Sequence, residues 1–152
     1  MNNNQYWYCD ACGKKIESVE AGWLEWIYFK DEEGNGKGRG LRIVHKDKQC
    51  MYNSRLEYKR DKGITNDDNL RSYLGSDGLL LLLELIAEDE IPKEEVLEII
   101  KRIHIPGYEI AHRHFADAIN EGVFEPNRKQ GYYWLSDINA VIAWLENKDN
   151  IS

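Results

Sequence analysis

Cys9-Asp10-Ala11-Cys12-Gly13 opens the stretch that decides the fold, and His45-Lys46-Asp47-Lys48-Gln49-Cys50 closes it. All three cysteines of the 152-residue chain lie in these two segments. With His45 they make a Cys3His set, the donor set of a structural zinc ion. Cys9-x-x-Cys12 places two thiolates in one tight turn, and Gly13 lets the backbone turn with positive φ. Four protein ligands close a coordination sphere, whereas catalytic zinc keeps one position open. The expected cofactor is therefore one structural Zn2+ held by Cys9, Cys12, His45 and Cys50. The competing reading is three free buried cysteines and an ordinary surface histidine. A redox Cys-x-x-Cys is expected on a βαβ unit, and no such unit follows here.

The flanking residues predict the frame. Gln5-Tyr6-Trp7-Tyr8 reads as a strand, and residues 21–30 read as a long aromatic one. Asp31 to Gly40 carries four glycines and reads as a loop between strands. It lacks the Lys-Ser/Thr ending of a phosphate loop. Leu41-Arg42-Ile43-Val44-His45 reads as the returning strand, and Cys50 as the opening of a helix towards Tyr58. The charged run 58–63 reads as a linker. It divides a zinc-binding β finger, residues 1–62, from a helical domain, residues 63–152.

Knuckle, hairpin and a second ligand pair near a helix start resemble a treble-clef or zinc-ribbon finger over about the first 60 residues. The order also resembles small bacterial proteins of uncharacterised function that pair a Cys-x-x-Cys finger with a helical tail. That likeness implies no activity. The closest enzymatic alternative is an HNH-like, metal-dependent nuclease, since those also use treble-clef frames. Such chemistry needs a histidine base near the finger, and His45 is already assigned to zinc.

In the second half, residues 65–74 offer helix caps and a short helix. Leu79 to Leu83 is a run of five leucines. At helical spacing Leu79, Leu82, Leu83 and Ile86 share one face, while Leu80, Leu81 and Leu85 lie off it. Two readings stay open: a central core helix, or a partner contact through Leu80, Leu81 and Leu85. Pro92 and Glu94-Glu95 suit the start of a helix whose stripe is Val96, Ile99, Ile100 and Ile103. Tyr108, Ala111, Phe115 and Ala118 form the next stripe, ended by Gly122. Val123-Phe124 and Tyr132-Tyr133-Trp134 predict a β-hairpin near 123–134. Ser136 caps a last helix, expected to fray from Asn147.

Helix, turn, helix, hairpin, helix over residues 92–147 resembles the winged helix-turn-helix of excisionase and MerR-type DNA-binding domains. The residues that carry it are Ala118 to Phe124, Gly131 to Ile138 and Ala143-Trp144-Leu145. The resemblance implies duplex DNA as a partner, a recognition helix from Gly107, and contacts through His112, Arg113, Arg128 and Lys129. The sequence departs from the family in having few basic residues there.

Net charge is −7 and mean hydropathy −0.65, with 42% apolar residues, enough for a core. Residues 1–64 carry a balance of +2 and the rest −9, a poor prior for nonspecific nucleic-acid binding. The polar start at Met1 to Gln5 predicts no secretory signal, and no apolar run reaches membrane length. An odd cysteine count argues for a reducing, cytoplasmic setting. No Gly-x-Ser-x-Gly and no His-Glu-x-x-His is present. His112 and His114 are two apart, so they point to different sides of a helix. A non-catalytic α+β protein is expected, with a zinc-stabilised β segment before a helical, winged-helix-like domain. It is read as a regulator or adaptor whose partner is a protein or a second copy, with no membrane and no organic cofactor.

Overall fold

A computed structural model describes residues 5–151, with side chains to Asp149; the polar start at Met1 to Asn4 lies outside the described residues. The chain is α+β, as expected, with two small antiparallel sheets and several helices. It divides into two compact units, one ending at His104 and the other beginning at Ile105.

In the first unit, β1 (Trp7–Tyr8) pairs with β2 (Lys15–Ile16) around the Cys9–Gly13 turn. A second sheet has the order β4-β3-β5, from β3 (Gly22–Lys30), β4 (Gly36–His45) and β5 (Ile64–Asn69). Two expectations give way here. The glycine run is not all loop: the turn is confined to residues 31–35, tied by Asp31 Oδ1 accepting from the N–H groups of Glu33 and Asn35. Gly36, Gly38 and Gly40 lie inside β4. A Cβ at Gly38 would come within 2.6 Å of Ile91 Cγ1, so this glycine makes room for a core side chain. Gly40 sits at φ +67, where β4 spends three residues, Arg39 to Leu41, against Trp26 and Ile27 of β3 before Arg42 meets Glu25. That is a β-bulge built on a left-handed glycine. A Cβ at Gly40 would also run into the Tyr52 hydroxyl, which donates to the Gly40 carbonyl at 2.6 Å. Gly40→Ala should therefore cost about 1–3 kcal/mol in urea unfolding. A cost within about 0.5 kcal/mol would mean the bulge relaxes freely.

The expected boundary at residues 62/63 is the second correction. Residues 64–69 are not helix caps but β5, which pairs with β3 from Tyr28↔Ile64 to Trp23↔Asn69. The 3-10 turn Leu70–Tyr73 follows directly, and Leu70 is buried. The segment before β5 is α1 (Ser54–Asp61), capped by Asn53 Oδ1, which accepts from the N–H groups of Arg55 and Leu56. Cys50 therefore lies in a turn ahead of this helix and does not open it.

Next come α2 (Gly75–Glu88) and α3 (Lys93–His104), packed on each other and into the same core as the sheet. Val96, Ile99 and Ile103 of α3 are buried, as their spacing predicts. On α2 only Leu82 of the leucine run is fully buried. Leu83, expected inward, is exposed, and Leu85, expected off the core face, packs against it. A run without polar punctuation carries no period, so neighbours decide its facing.

The second unit has its own core of Tyr108, Ala111, Phe115, Ala118, Phe124, Ile138 and Val141. The single helix expected from Gly107 is three pieces: α4 (Tyr108–Ala111), a 3-10 turn at His112–His114, and α5 (Phe115–Asn120). The expected hairpin at 123–134 is not formed; residues 123–134 carry no strand. Phe124 and Tyr133 meet through their rings at 5.0 Å, with Phe115 4.9 Å from Tyr133. Edge-on aromatic packing holds this loop where a backbone ladder was expected. α6 (Leu135–Ile151) begins two residues earlier than a Ser136 cap implies, with Trp134 O accepting from the N–H groups of Asp137 and Ile138. It continues past Asn147, where fraying was expected.

Candidate metal centre

Backbone geometry builds the first half of the site. Cys9 follows β1, and its N–H donates to Lys14 O at 2.9 Å while its carbonyl accepts from Gly13 N–H at 2.9 Å. Gly13 at φ +76 closes that turn. Asp10 fastens the turn to the large sheet: its N–H donates to Ile43 O, and its Oδ2 accepts from Ile43 N–H, both at 2.8 Å. Arg102 of α3 donates to the same Oδ2 at 2.8 Å and to Tyr8 O at 3.0 Å. One buried guanidinium thus ties helix, strand and knuckle together.

Asp47 builds the second half. Its Oδ1 accepts from Gln49 N–H and its carbonyl from Cys50 N–H, which winds Cys50 back towards the end of β4. Arg42 donates to the Cys50 carbonyl at 3.1 Å and to Glu25 Oε2 at 2.7 Å. Glu25, only 2% exposed, also accepts from Tyr52 N–H.

The four sequence-predicted ligands converge. Donor atoms of Cys9, Cys12, His45 and Cys50 all lie within 4.8 Å of one another, close enough to hold a metal ion. His45 Nδ1 stands 3.5 Å from Cys12 Sγ and 3.7 Å from Cys50 Sγ. His45 Nε2 lies 3.1 Å from the Lys15 carbonyl, which can only accept. The proton is therefore on Nε2 and the Nδ1 lone pair faces the thiols, as a metal-ligating imidazole requires. Burial opposes ionisation of Cys9, but N–H groups of Cys12, His45 and Ala11 outweigh it and hold the thiol at about 7. Cys50 is pushed up to about 12 by burial and by its neighbours Cys9 and Cys12. Three thiols this close cannot all ionise unless a cation joins them.

No family model, curated protein or solved structure matches this chain. Its chemistry is read from its own residues.

The other candidate residues do not form one site. Leu80 is 61% and Leu81 41% exposed, but Leu85 packs against the core and Leu83 is exposed in its place. In the second unit His112 Nε2 bonds Glu109 Oε1 at 2.9 Å and its ring stacks on Tyr108. Arg113 is exposed on the same 3-10 turn as His112. Arg128 lies 4.2 Å over the Trp134 ring and Lys129 5.6 Å from the Tyr132 ring, both on a loop without a wing. His104 Nε2 donates to Tyr73 O at 2.8 Å. No helix among the described residues is long and apolar enough to cross a membrane.

Sequence reasoning missed Asp10, Glu25, Arg42, Asp47 and Arg102. Asp10 between the two cysteines was a visible signal. Its partner Arg102 stands 92 positions away, and nothing local links them.

Proposed function

We propose that Cys9, Cys12, His45 and Cys50 hold one structural Zn2+, and that the protein is a non-catalytic cytoplasmic regulator or adaptor binding a macromolecular partner. The observation that carries the metal reading is the spacing of the donors. Zinc arms of about 2.3 Å to sulfur and 2.05 Å to nitrogen set tetrahedral S···N edges of about 3.6 Å. The two S···N distances, 3.5 and 3.7 Å, bracket that value. Three thiolates and an imidazole suit zinc in preference to magnesium or calcium, which take oxygen.

Four protein donors leave no position for water or substrate, so the ion's role is to hold the two knuckles and the sheet together. Three cysteines without a disulfide fit a reducing compartment. The exposed leucines of α2 support a contact surface, since such a cluster is costly to leave in water. The test is a photo-crosslinking amino acid at Leu80 of the full chain in cells. An adduct with a single macromolecule, whether another protein or another copy, is expected. Only uncross-linked monomer would overturn the adaptor reading and leave the metal reading standing.

A further inference from the structure

α2 leaves Leu80, Leu81 and Leu83 exposed, with Ala87 exposed a turn further on. They do not all share one side. At about 100° per residue, Leu83 and Ala87 stand within about 60° of Leu80 on one side of it, whereas Leu81 stands about 100° away on the other. Leu80, Leu83 and Ala87, at i, i+3 and i+7, therefore form one stripe, and half-buried Leu79 and Ile86 carry it round to the core edge. Asp77 and Glu84, at i−3 and i+4 from Leu80, lie along its opposite flank, and Glu88 continues their row one turn on. All three are exposed, and none makes an ion pair among the described residues. α2 carries no Lys or Arg. The face is thus an apolar stripe bordered on one side by a row of carboxylates, spaced about 10.5 and about 6 Å along the axis.

We infer that the partner seated on α2 is a cationic amphipathic helix of another protein, its apolar stripe on Leu80, Leu83 and Ala87 and its Lys or Arg side chains along Asp77, Glu84 and Glu88. This rests on the adaptor reading above and gives that partner its chemistry. Charge complementarity selects a cation-flanked occupant. A second copy's α2 would bring three more carboxylates and no cation, and nucleic acid or an anionic lipid surface would bring only negative charge. The helical form follows from the backbone. The N–H and C=O groups along α2 are spent within the helix, so an extended segment would leave its own main-chain groups unpaired there. A second helix brings its backbone bonds with it, and its ridges match the stripe. Three apolar side chains fall short of the ~800 Å² per partner of a standard interface, so the contact is weak and salt-sensitive.

The test is fluorescence anisotropy of two labelled synthetic peptides with the zinc-loaded full chain, titrated to about 1 mM at low salt. Each peptide has about 18 residues patterned as an amphipathic helix, one of Leu and Lys and the other of Leu and Glu. The Leu/Lys peptide should bind and the Leu/Glu peptide should not, and added salt should weaken the binding. Leu80→Ser/Leu83→Ser should weaken it about 10-fold or more, while Leu81→Ser leaves it unchanged. Glu84→Lys/Glu88→Lys should exchange the preference and take the Leu/Glu peptide instead. All these positions are exposed, and unaltered melting by circular dichroism shows that each variant folds. No binding of the Leu/Lys peptide to wild type would overturn the inference. So would binding that survives Leu80→Ser/Leu83→Ser, since attraction to the net charge of −7 alone would do that. A Leu80 cross-link to a macromolecule in cells, with no affinity for the Leu/Lys peptide, would leave the adaptor reading standing and remove this one. Absence of any cross-link would remove both.

Discussion

Cys12→Ser is expected to strip the ion from the cluster and lower the stability of the unit ending at His104 by several kcal/mol. Cys12 is the informative ligand because it is exposed, whereas Cys9 and Cys50 are buried at 2% and 7% exposure. Replacing either buried cysteine would disturb core packing as well as the metal. At an exposed position without a special role, the change would cost within about 0.5 kcal/mol. As a ligand, Cys12 carries part of the binding free energy that is also folding free energy. Its loss should exceed the roughly 10–100-fold drop in metal affinity that follows removal of an outer-shell partner. The damage should reach beyond the first sixty residues, because Cys9 and Cys50 share a core with Leu82, Val96 and Ile99. Urea unfolding with and without a chelator checks this. The chelator should destabilise wild type and barely affect the variant. Equal chelator sensitivity in both would contradict the four-ligand site.

Glu25→Ala is expected to cost about 3–5 kcal/mol. Glu25 lies in β3 at 2% exposure, with Arg42 Nε at 2.7 Å and the Tyr52 N–H at 3.1 Å. Alanine would leave a part-buried guanidinium without its counter-charge and a backbone N–H without its acceptor. Arg42 also holds the Cys50 carbonyl and lies 3.7 Å over the Tyr52 ring, so the loss should spread to the second knuckle. Metal affinity should therefore fall together with stability. Glu25→Gln keeps both oxygen and shape and should recover part of each. A stable Glu25→Ala with full metal affinity would show that the network is dispensable.

The Cys3His cluster was legible because thiols are few and chelate spacing is local. α3 and the stripe on α6 were legible because 3.6-residue periodicity survives in a single sequence, and β3 because it is a long aromatic run. What failed was decided elsewhere in the chain. Gly38 reads as loop until Ile91, 53 positions away by the numbering, is seen to need its space. Ile64-Thr65-Asn66-Asp67-Asp68-Asn69 has helix-cap composition, yet it makes an edge strand whose carboxylates suit an open edge. The aromatic pairs around 123–134 suggested cross-strand neighbours, but their rings serve the core of the second unit. The buried ions Glu25 and Arg102 were invisible because burial is a property of the assembled fold.

The most direct test of the central claim is the zinc K-edge absorption spectrum of protein purified without added metal, alongside its metal content. One zinc per chain is predicted, with a first shell of three sulfurs at about 2.3 Å and one imidazole nitrogen at about 2.0–2.1 Å. A shell of oxygen and nitrogen alone, or a chain that folds fully without stoichiometric metal, would contradict it.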